Sequence, residues 1–206
     1  MVSLKKFKRI LILSGGISEE RDISQSSANH VYQTIKNEAT TKILDVSDNA
    51  EQLLMNIQKF NPDVIFNCLH GYFGEDGQIQ SILNYLKIPY THSGVLTSAI
   101  LMNKIISKKL FQSLGIRSPE FLSEYNINNK KLKFPLIIKP VNGGSSYGLI
   151  KVNNKESLIK YLNKKKINKC EMLIEEFIFG RELTVGILEN KICGVMEIKF
   201  SEELYD

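Results

Sequence analysis

A lysine followed by a loop of small residues is the segment best suited to chemistry. Lys139 closes an apolar run, and the sequence NGGSSYG follows at 142–148. Glycines let backbone N–H groups crowd around an anion, and the serine hydroxyls add further donors. A lysine carried by a strand supplies a point charge for phosphate. The alternative is a flexible hairpin tip whose glycines serve turn geometry only, but the neighbouring lysine favours a nucleotide-binding loop.

The sequence SGGISEERD at 14–22 follows the first apolar run. Backbone N–H groups at such a strand–helix junction favour an anion, yet Glu19, Glu20 and Asp22 stand there. Acids near the beginning of a helix are stabilised by its dipole. The dipole accounts for all three acids and does not distinguish Glu20 from Glu19 and Asp22.

A second glycine-rich loop, LHGYFGEDG at 69–77, follows another apolar run. His70 lies at the predicted end of a strand, and the glycines of the loop would let a ligand approach. Two simpler readings compete: Asp76 would cap the next helix, and a lone histidine is usually structural. The position of His70 at a strand end favours a functional role.

The third candidate segment is EEFIFGRELTV at 175–185. Glu175 and Glu176 close one predicted strand, and Glu182 opens the next. Carboxylates at strand ends can bind ribose hydroxyls, and an extended backbone can pair with an adenine edge. Spacing alone favours the alternative, an exposed hairpin.

The first half of the chain alternates between strand and helix patterns. We predict strands at Arg9–Leu13, Lys42–Val46 and Asp63–Cys68, and helices at Ser24–Lys36, Asn49–Phe60 and Gln78–Leu86. This order favours a parallel sheet with helices on its faces, and ligands bind at the carboxyl ends of such strands. One further helix is predicted at Ser98–Leu114, with Gly115 at its end.

The second half has a different pattern, that of an α+β domain with mostly antiparallel strands. After a loop at Tyr125–Lys133 we predict a hairpin of PLIIKP and LIKVN, a helix at Glu156–Asn163, and strands at Glu171–Phe177, Glu182–Leu188 and Lys191–Phe200. The predicted domains are 1–97 and 98–206.

Composition narrows the class of protein. The chain has 206 residues, and its 27 Lys and Arg against 22 Asp and Glu give a net charge of +5. Much of the excess positive charge lies at 160–169, where the pattern favours a solvated helix face over a nucleic-acid site. No apolar run approaches the ~20 residues of a membrane helix. Cys68, Cys170 and Cys193 have no metal-ligand spacing, so we predict buried, reduced thiols in a cytoplasmic protein and no metal site.

Taken together and in order, the motifs GGISEER, HGYFGEDGQIQ, MNK, GGSSYG and EEFIFGRELTV resemble the D-alanine–D-alanine ligases of the ATP-grasp superfamily. The resemblance implies an α/β N-terminal parallel-sheet (pre-ATP-grasp) domain followed by an α+β ATP-grasp domain. It also implies ATP-dependent ligation of two D-alanines, through an acyl phosphate, to D-alanyl-D-alanine for peptidoglycan. Mg²⁺ or Mn²⁺ is expected for the complete enzyme, a homodimer is one option, and no nucleic acid or membrane partner is expected.

The resemblance also assigns roles to residues of this chain. Glu20 and Ser145 would be catalytic, with Glu20 holding the ammonium of the first D-alanine and Ser145 hydrogen-bonding to Glu20. His70 would lie near the carboxylate of that substrate. The residues expected to bind ATP are Lys104, Lys139, Ser146, Gly148, Glu175, Ile178 and Glu182. Asn103 departs from the family, which usually has aspartate at this place.

The sequence stops at MEIKFSEELYD, where the family continues through a tyrosine-containing loop, an arginine and the metal ligands. The ATP-grasp domain is therefore expected to be incomplete at its C-terminus, as in a fragment, a truncated gene product or half of a split enzyme, with little or no activity alone. The alternative is a non-catalytic or partner-dependent remnant that binds nucleotide or a D-amino acid. D-Lactate and D-serine stay open as second substrates.

Overall fold

The computed structural model describes residues 7–122, 132–164 and 172–199. The chain forms two units, one of Met1–Ile116 with Val141–Gly144 and the other of Arg117–Pro140 with Ser145–Asp206. Each unit has its own hydrophobic core. The domain boundary predicted after residue 97 stays a prediction.

The first unit is built on a parallel sheet, as the alternating pattern predicts. Its elements are β1 (Arg9–Gly15), α1 (Arg21–Ile35), β2 (Thr40–Val46), α2 (Ala50–Phe60), β3 (Val64–Asn67), α3 (Gln78–Tyr85), α4 (Val95–Met102) and α5 (Lys104–Ser113). The strand order is β2-β1-β3, with both neighbours parallel to β1. The carboxyl ends of the three strands therefore meet at one edge of the sheet.

Strand β1 supplies side chains to two cores because successive residues of a strand point to opposite faces. Ile10 and Ile12 pack with residues of α1, among them Ala28. Leu11 and Leu13 pack in the other core, whose further members on β2, α2, β3 and α3 include Leu44, Leu53, Ile57, Ile65, Ile79 and Leu83. A central strand buried on both faces explains the continuous apolar run in the sequence.

The predicted single helix at Ser98–Leu114 is wrong, because two helices meet at Asn103. The Asn103 backbone is extended, and its side-chain oxygen accepts hydrogen bonds from the N–H groups of Ile105 (3.1 Å) and Ile106 (3.0 Å). Ser107 Oγ donates to the carbonyl of Ile100 at 2.9 Å, near the end of α4. Asparagine favours such caps because its side chain competes with helical backbone bonds. The α4–α5 break follows from this competition.

The second unit contains an antiparallel sheet, as predicted. Its elements are β4 (Phe121–Leu122), β5 (Leu136–Pro140), β6 (Ile150–Val152), α6 (Lys155–Lys164), β7 (Met172–Glu176), β8 (Glu182–Leu188) and β9 (Lys191–Ile198). The order is β4-β7-β5-β6, and β5 and β6 form the predicted hairpin. Strands β8 and β9 form a separate hairpin. Residues 125–131 of the predicted loop and 165–169 of the lysine-rich run lie outside the described residues.

Apolar side chains remain exposed along the β8–β9 hairpin. Ile187, Ile192 and Met196 are 67–72% exposed. Alternation along a strand normally buries one face, but here residues on both faces are exposed. The hairpin is therefore the least buried part of the described second unit.

The prediction of buried thiols holds for one of the two described cysteines. Cys68 is buried, and burial raises the pKa of its thiol to about 11. Cys193 is exposed, contrary to the prediction, because it lies on the β8–β9 hairpin; Cys170 lies outside the described residues. Within the described ranges, no helix combines the length and apolar character that crossing a membrane requires.

Candidate functional site

The Gly15-Gly16 turn ends β1 and is filled by an ion pair. Arg21 donates to a carboxylate oxygen of Asp45 at 2.5 Å and to the carbonyl of Gly16 at 2.9 Å. Both glycines have positive φ, +76° and +90°. A Cβ at Gly15 would lie only 2.0 Å from Asp45 Oδ1. Gly15 therefore makes room for the Arg21–Asp45 ion pair, which connects α1 to β2.

Ser18 joins the first loop to the second. Its hydroxyl donates to the carbonyl of His70 at 2.7 Å and accepts the backbone N–H of Glu20 at 3.3 Å. The two residues joined are 52 positions apart in the sequence. The sequence pattern did not predict a role for Ser18 in the site. Its position inside the ISEER motif is the one sequence feature that could have indicated such a role.

The Glu20 carboxylate lies against two glycines. A Cβ at Gly71 would be 2.9 Å from Glu20 Oε2, and one at Gly144 would be 3.5 Å from the same oxygen. Glu20 precedes the first residue of α1 and makes no side-chain cap, while Glu19 and Asp22 are exposed. The structure thus brings Glu20 to the His70 loop and to the first glycines of NGGSSYG, where a negative charge could hold a cation.

His70 lies between a hydroxyl and a carboxylate. Its Nε2 is 3.4 Å from Ser27 Oγ, and its Nδ1 is 3.9 Å from Glu75 Oε1. The other oxygen of Glu75 accepts the N–H of Gly71 at 2.7 Å. Glu75 therefore fixes the loop that carries His70. Glu75 lies within the GEDG segment, where the sequence pattern alone assigns it no role in the site.

Asp76 and Gly74 have structural roles in this loop. Asp76 accepts the N–H groups of Phe73 at 2.9 Å and of Gln78, the first residue of α3, at 3.1 Å, although the N-cap position itself is Gly77. A Cβ at Gly74 would be 2.5 Å from Leu69 Cβ and 2.7 Å from the Leu69 carbonyl carbon. Gly74 therefore permits close packing of the chain on itself, rather than the approach of a ligand.

A pocket of about 450 Å³ lies beside Glu75 within the first unit. It is lined by Glu75, His92, Ser93, Ser98, Leu101, Met102 and Gly143. Volumes of this order are typical of small-molecule sites. Partial desolvation lowers the pKa of His92, a neighbouring Glu75 charge opposes this, and His70 adds to the lowering. The pocket thus combines one carboxylate, one imidazole, hydroxyls and an apolar wall.

Lys104 begins α5 and reaches the chain before Gly144. Its Nζ donates to the carbonyl of Gly143 at 2.7 Å, and its backbone N–H donates to the carbonyl of Val141 at 3.0 Å. Glu20 and Lys104 therefore lie beside the neighbouring glycines Gly144 and Gly143.

Lys139 and Glu175 come together in the second unit. They lie on the paired strands β5 and β7, and Lys139 Nζ donates to Glu175 Oε1. Glu175 is 5% exposed. Because a buried carboxylate needs a partner, this ion pair holds the lysine at the strand end that leads into the glycine loop.

The glycine-rich loop has an unusual backbone. Ser145 and Ser146 have φ of +47° and +56°, and Gly148 has φ of +71°. Positive φ is uncommon for residues with a Cβ and is found at ligand-binding loops. A Cβ at Gly148 would be 3.2 Å from the Pro140 ring. The predicted hydrogen bond between Ser145 and Glu20 stays a prediction.

Ile178 and Glu182 are exposed in the second unit. The rings of Phe177 and Phe179 meet edge to face at 4.8 Å, and Lys151 Nζ lies 4.3 Å from the Phe177 ring centre. Glu182 is the first residue of β8 and pairs with Ile198. The segment is not the exposed hairpin of the alternative, because β7 pairs with β4 and β5 whereas β8 pairs with β9. The adenine and ribose roles stay predictions.

No cluster of three His, Cys, Asp or Glu side chains suited to a metal ion occurs among the described residues. The first unit carries the candidate residues Glu20, His70, Glu75 and Lys104 and the pocket beside Glu75, and the second unit carries the Lys139–Glu175 pair.

Two family models match this chain. Residues 110–206 match the family described as D-ala D-ala ligase C-terminus, and residues 45–93 match D-ala D-ala ligase N-terminus. The D-alanine–D-alanine ligase of Pelagibacter ubique is 46% identical over 97% of this chain and 67% of its own length. That of Wolbachia pipientis from Culex pipiens is 41% identical over 96% of this chain and 63% of its own length.

Solved structures give the same result. The D-alanine–D-alanine ligase of Bacillus anthracis superposes with a TM-score of 0.81 at 33% identity, covering 97% of this chain and 67% of that one. A structure of that enzyme complexed with ATP has the same TM-score at 31% identity. The chain spans 63 to 67% of the length of the two curated relatives named above. The family matches, the identity of 46% and the shared fold show that this chain belongs to the D-alanine–D-alanine ligase family.

Proposed function

We propose that this chain contributes to the ATP-dependent ligation of two D-alanines to D-alanyl-D-alanine, through an acyl phosphate, for peptidoglycan synthesis. The proposal rests on the approach of the Glu20 carboxylate to Gly71 and Gly144, beside the loop that carries His70. A carboxylate in this position can hold an ammonium group. His70 supplies a nearby group for the carboxylate of the same amino acid.

ATP is the phosphoryl donor that fits the remaining residues. Lys104 and Lys139 supply positive charge, and the loop of Ser145, Ser146 and Gly148 supplies backbone and hydroxyl donors. When bound, ATP converts a poor electrophile, the carboxylate, into one with a leaving group. The positive charges of the lysines stabilise the negatively charged phosphate oxygens during phosphoryl transfer. Glu175, Ile178 and Glu182 are the residues that we assign to the adenine and ribose side.

A divalent metal does not fit the described residues, because they contain no suitable cluster of ligands. We therefore derive no step through Mg²⁺ or Mn²⁺ from this part of the chain. Homodimer formation stays a proposal, and sedimentation velocity of the purified chain would test it.

Two measurements test the proposed function. Calorimetric titration of the 206-residue chain with D-alanine and with a non-hydrolysable ATP analogue tests binding. A dipeptide assay with ATP and D-alanine, on the chain alone and with the C-terminal third of the Pelagibacter ubique ligase added in trans, tests ligation. We expect binding of both ligands and dipeptide in the supplemented sample. Absence of D-alanine binding would contradict the assignment of Glu20.

The second candidate function is a non-catalytic or partner-dependent protein that binds nucleotide or a D-amino acid. The observation in its favour is the exposed apolar β8–β9 hairpin in a chain that spans 63 to 67% of its relatives. Ligand binding without dipeptide in any supplemented sample would favour this candidate.

A further inference from the structure

His92 lines the pocket beside Glu75 in a backbone conformation that is unfavourable for its type. Its φ is +92°, in the region where a Cβ crowds the backbone and where glycine is the usual residue. The proposed ligation chemistry described above gives His92 no role. Strained residues of this kind persist where surrounding contacts hold them, and they concentrate at functional sites.

Asn67 determines which nitrogen of His92 carries the proton. The Asn67 side chain is buried, its amide nitrogen donates to the carbonyl of Gly74 at 2.9 Å, and its oxygen accepts the N–H of Leu69 at 3.1 Å. These two backbone bonds fix the orientation of the amide. The group that faces His92 Nδ1, at 3.3 Å, is therefore the NH₂ donor.

Since Asn67 donates, Nδ1 of His92 must accept, and the ring proton of the neutral imidazole lies on Nε2. Partial desolvation lowers the pKa of His92, which keeps the ring neutral at pH 7 although the residue as a whole is exposed. The charged or titratable groups that act on it are Glu75 and His70. The result is an N–H donor at Nε2, on the ring edge opposite Asn67, in a residue that lines the pocket.

The surroundings of this donor indicate what it could bind. Among the residues that the structure describes, no partner is recorded for Nε2. The pocket of about 450 Å³ is shared with Glu75 and Gly143. Glu75 bonds to the N–H of Gly71, and the Glu20 carboxylate lies against Gly71 and Gly144. His92 thus shares its neighbour Glu75 with the 69–77 loop, against which the Glu20 carboxylate lies.

We propose that His92 is a further substrate-binding residue, whose Nε2–H donates a hydrogen bond to the carboxylate of the amino acid that Glu20 holds by its ammonium. This rests on the proposed function, and it specifies the ligand as an α-amino acid with a free carboxylate. The unfavourable backbone at His92 is retained because the side chain supplies this donor.

The test compares His92→Gly with the unchanged chain. Glycine suits φ of +92°, so the substituted protein should have a Tm no lower than the original. Loss of a hydrogen bond to a charged group should weaken D-alanine binding by roughly 10-fold. Binding of D-alaninamide, which lacks the carboxylate, should be equal in both proteins.

The matched control is His92→Asn, which tolerates positive φ and keeps a side-chain donor; it should retain more D-alanine affinity than His92→Gly. Three results would overturn the inference: unchanged D-alanine affinity in His92→Gly, equal losses for D-alanine and D-alaninamide, or a Tm clearly below that of the original. Failure of the unchanged chain to bind D-alanine would instead contradict the proposed function, and this inference with it.

Discussion

At the scale of single residues, the site is organised by bonds between the two loops at the carboxyl edge of the sheet. Ser18 fastens the first loop to the carbonyl of His70, and Glu75 fastens the second loop at Gly71. The Glu20 carboxylate is left beside Gly71 rather than capping α1. Individual side chains therefore set the position of the charge on which the proposed substrate binding depends.

Glu20→Gln should weaken D-alanine binding much more than binding of an ATP analogue. The substitution keeps the size of the side chain but removes the charge that would hold the ammonium group. Calorimetric titration with each ligand measures the two effects, and Glu19→Gln, on an exposed neighbour, is the control. Equal losses for both ligands would show that Glu20 supports the fold and not the substrate.

His92 should make stability depend on pH. Its pKa is lowered from the ordinary value of 6.5, so the unfolded chain binds more protons than the folded one below pH 6.5. Its contribution is fully present above pH 6.5 and is lost as the pH falls through the lowered pKa. Urea unfolding followed by circular dichroism at pH 7.5 and 5.5 measures this. His92→Asn should show a smaller loss between these pH values, and an identical loss would contradict the assignment.

At the scale of elements, the α4–α5 break positions Lys104. Asn103 ends α4 and begins α5, so Lys104 stands in the first turn of a new helix, where its backbone N–H reaches Val141. A continuous helix would have turned that N–H to the carbonyl four residues earlier. The break therefore ties Lys104 to the segment that contains the first glycines of the loop.

Asn103→Ala should lower the free energy of unfolding by about 1 kcal/mol, since alanine cannot cap α5. Asn103→Asp keeps a side-chain acceptor for the N–H groups of Ile105 and Ile106, and it should retain most of the stability. Urea titration of both variants at pH 7 checks this. Equal stability of Asn103→Ala and the unchanged chain would mean that packing alone holds the break.

At the scale of the whole molecule, burial is unevenly distributed between the parts of the chain. The side chains of β1 from Ile10 to Leu13 are 0–2% exposed, whereas Ile187 and Met196 of the β8–β9 hairpin are 67% and 68% exposed. Segments with few buried apolar contacts open at low free energy. The two ends of the described chain should therefore differ in local stability.

Hydrogen exchange measured by mass spectrometry should show this difference. We expect the amides of β8 and β9 to exchange much faster than those of β1, because an isolated two-stranded hairpin is marginally stable. The β5–β7 pair, which is buried within the second unit, is the internal control and should be slow. Equal protection of β1 and the hairpin would contradict the expectation.

The sequence by itself determined the features that depend on local periodicity. The apolar run of β1 and the helix–strand alternation predicted the parallel sheet, and the order of the short motifs identified the family. The predicted helix at Asn49–Phe60 corresponds to α2 (Ala50–Phe60), which ends at Asn61 with φ of +48°. These signals arise from neighbouring residues and need no knowledge of the folded chain.

Only the tertiary structure decided which side chains meet. Several features depend on partners or surroundings that the sequence pattern does not show. They are the break at Asn103, the exposure of Cys193, the packing role of Gly74 and the Asn67–His92 bond. Ser18 and His70 are 52 residues apart and Asn67 and His92 are 25 apart. A hydrogen bond of about 3 Å between such residues forms only when the strands and loops are in place. The sequence therefore indicated Glu20 and His70 as candidate residues, but it did not indicate the contacts that position their loops.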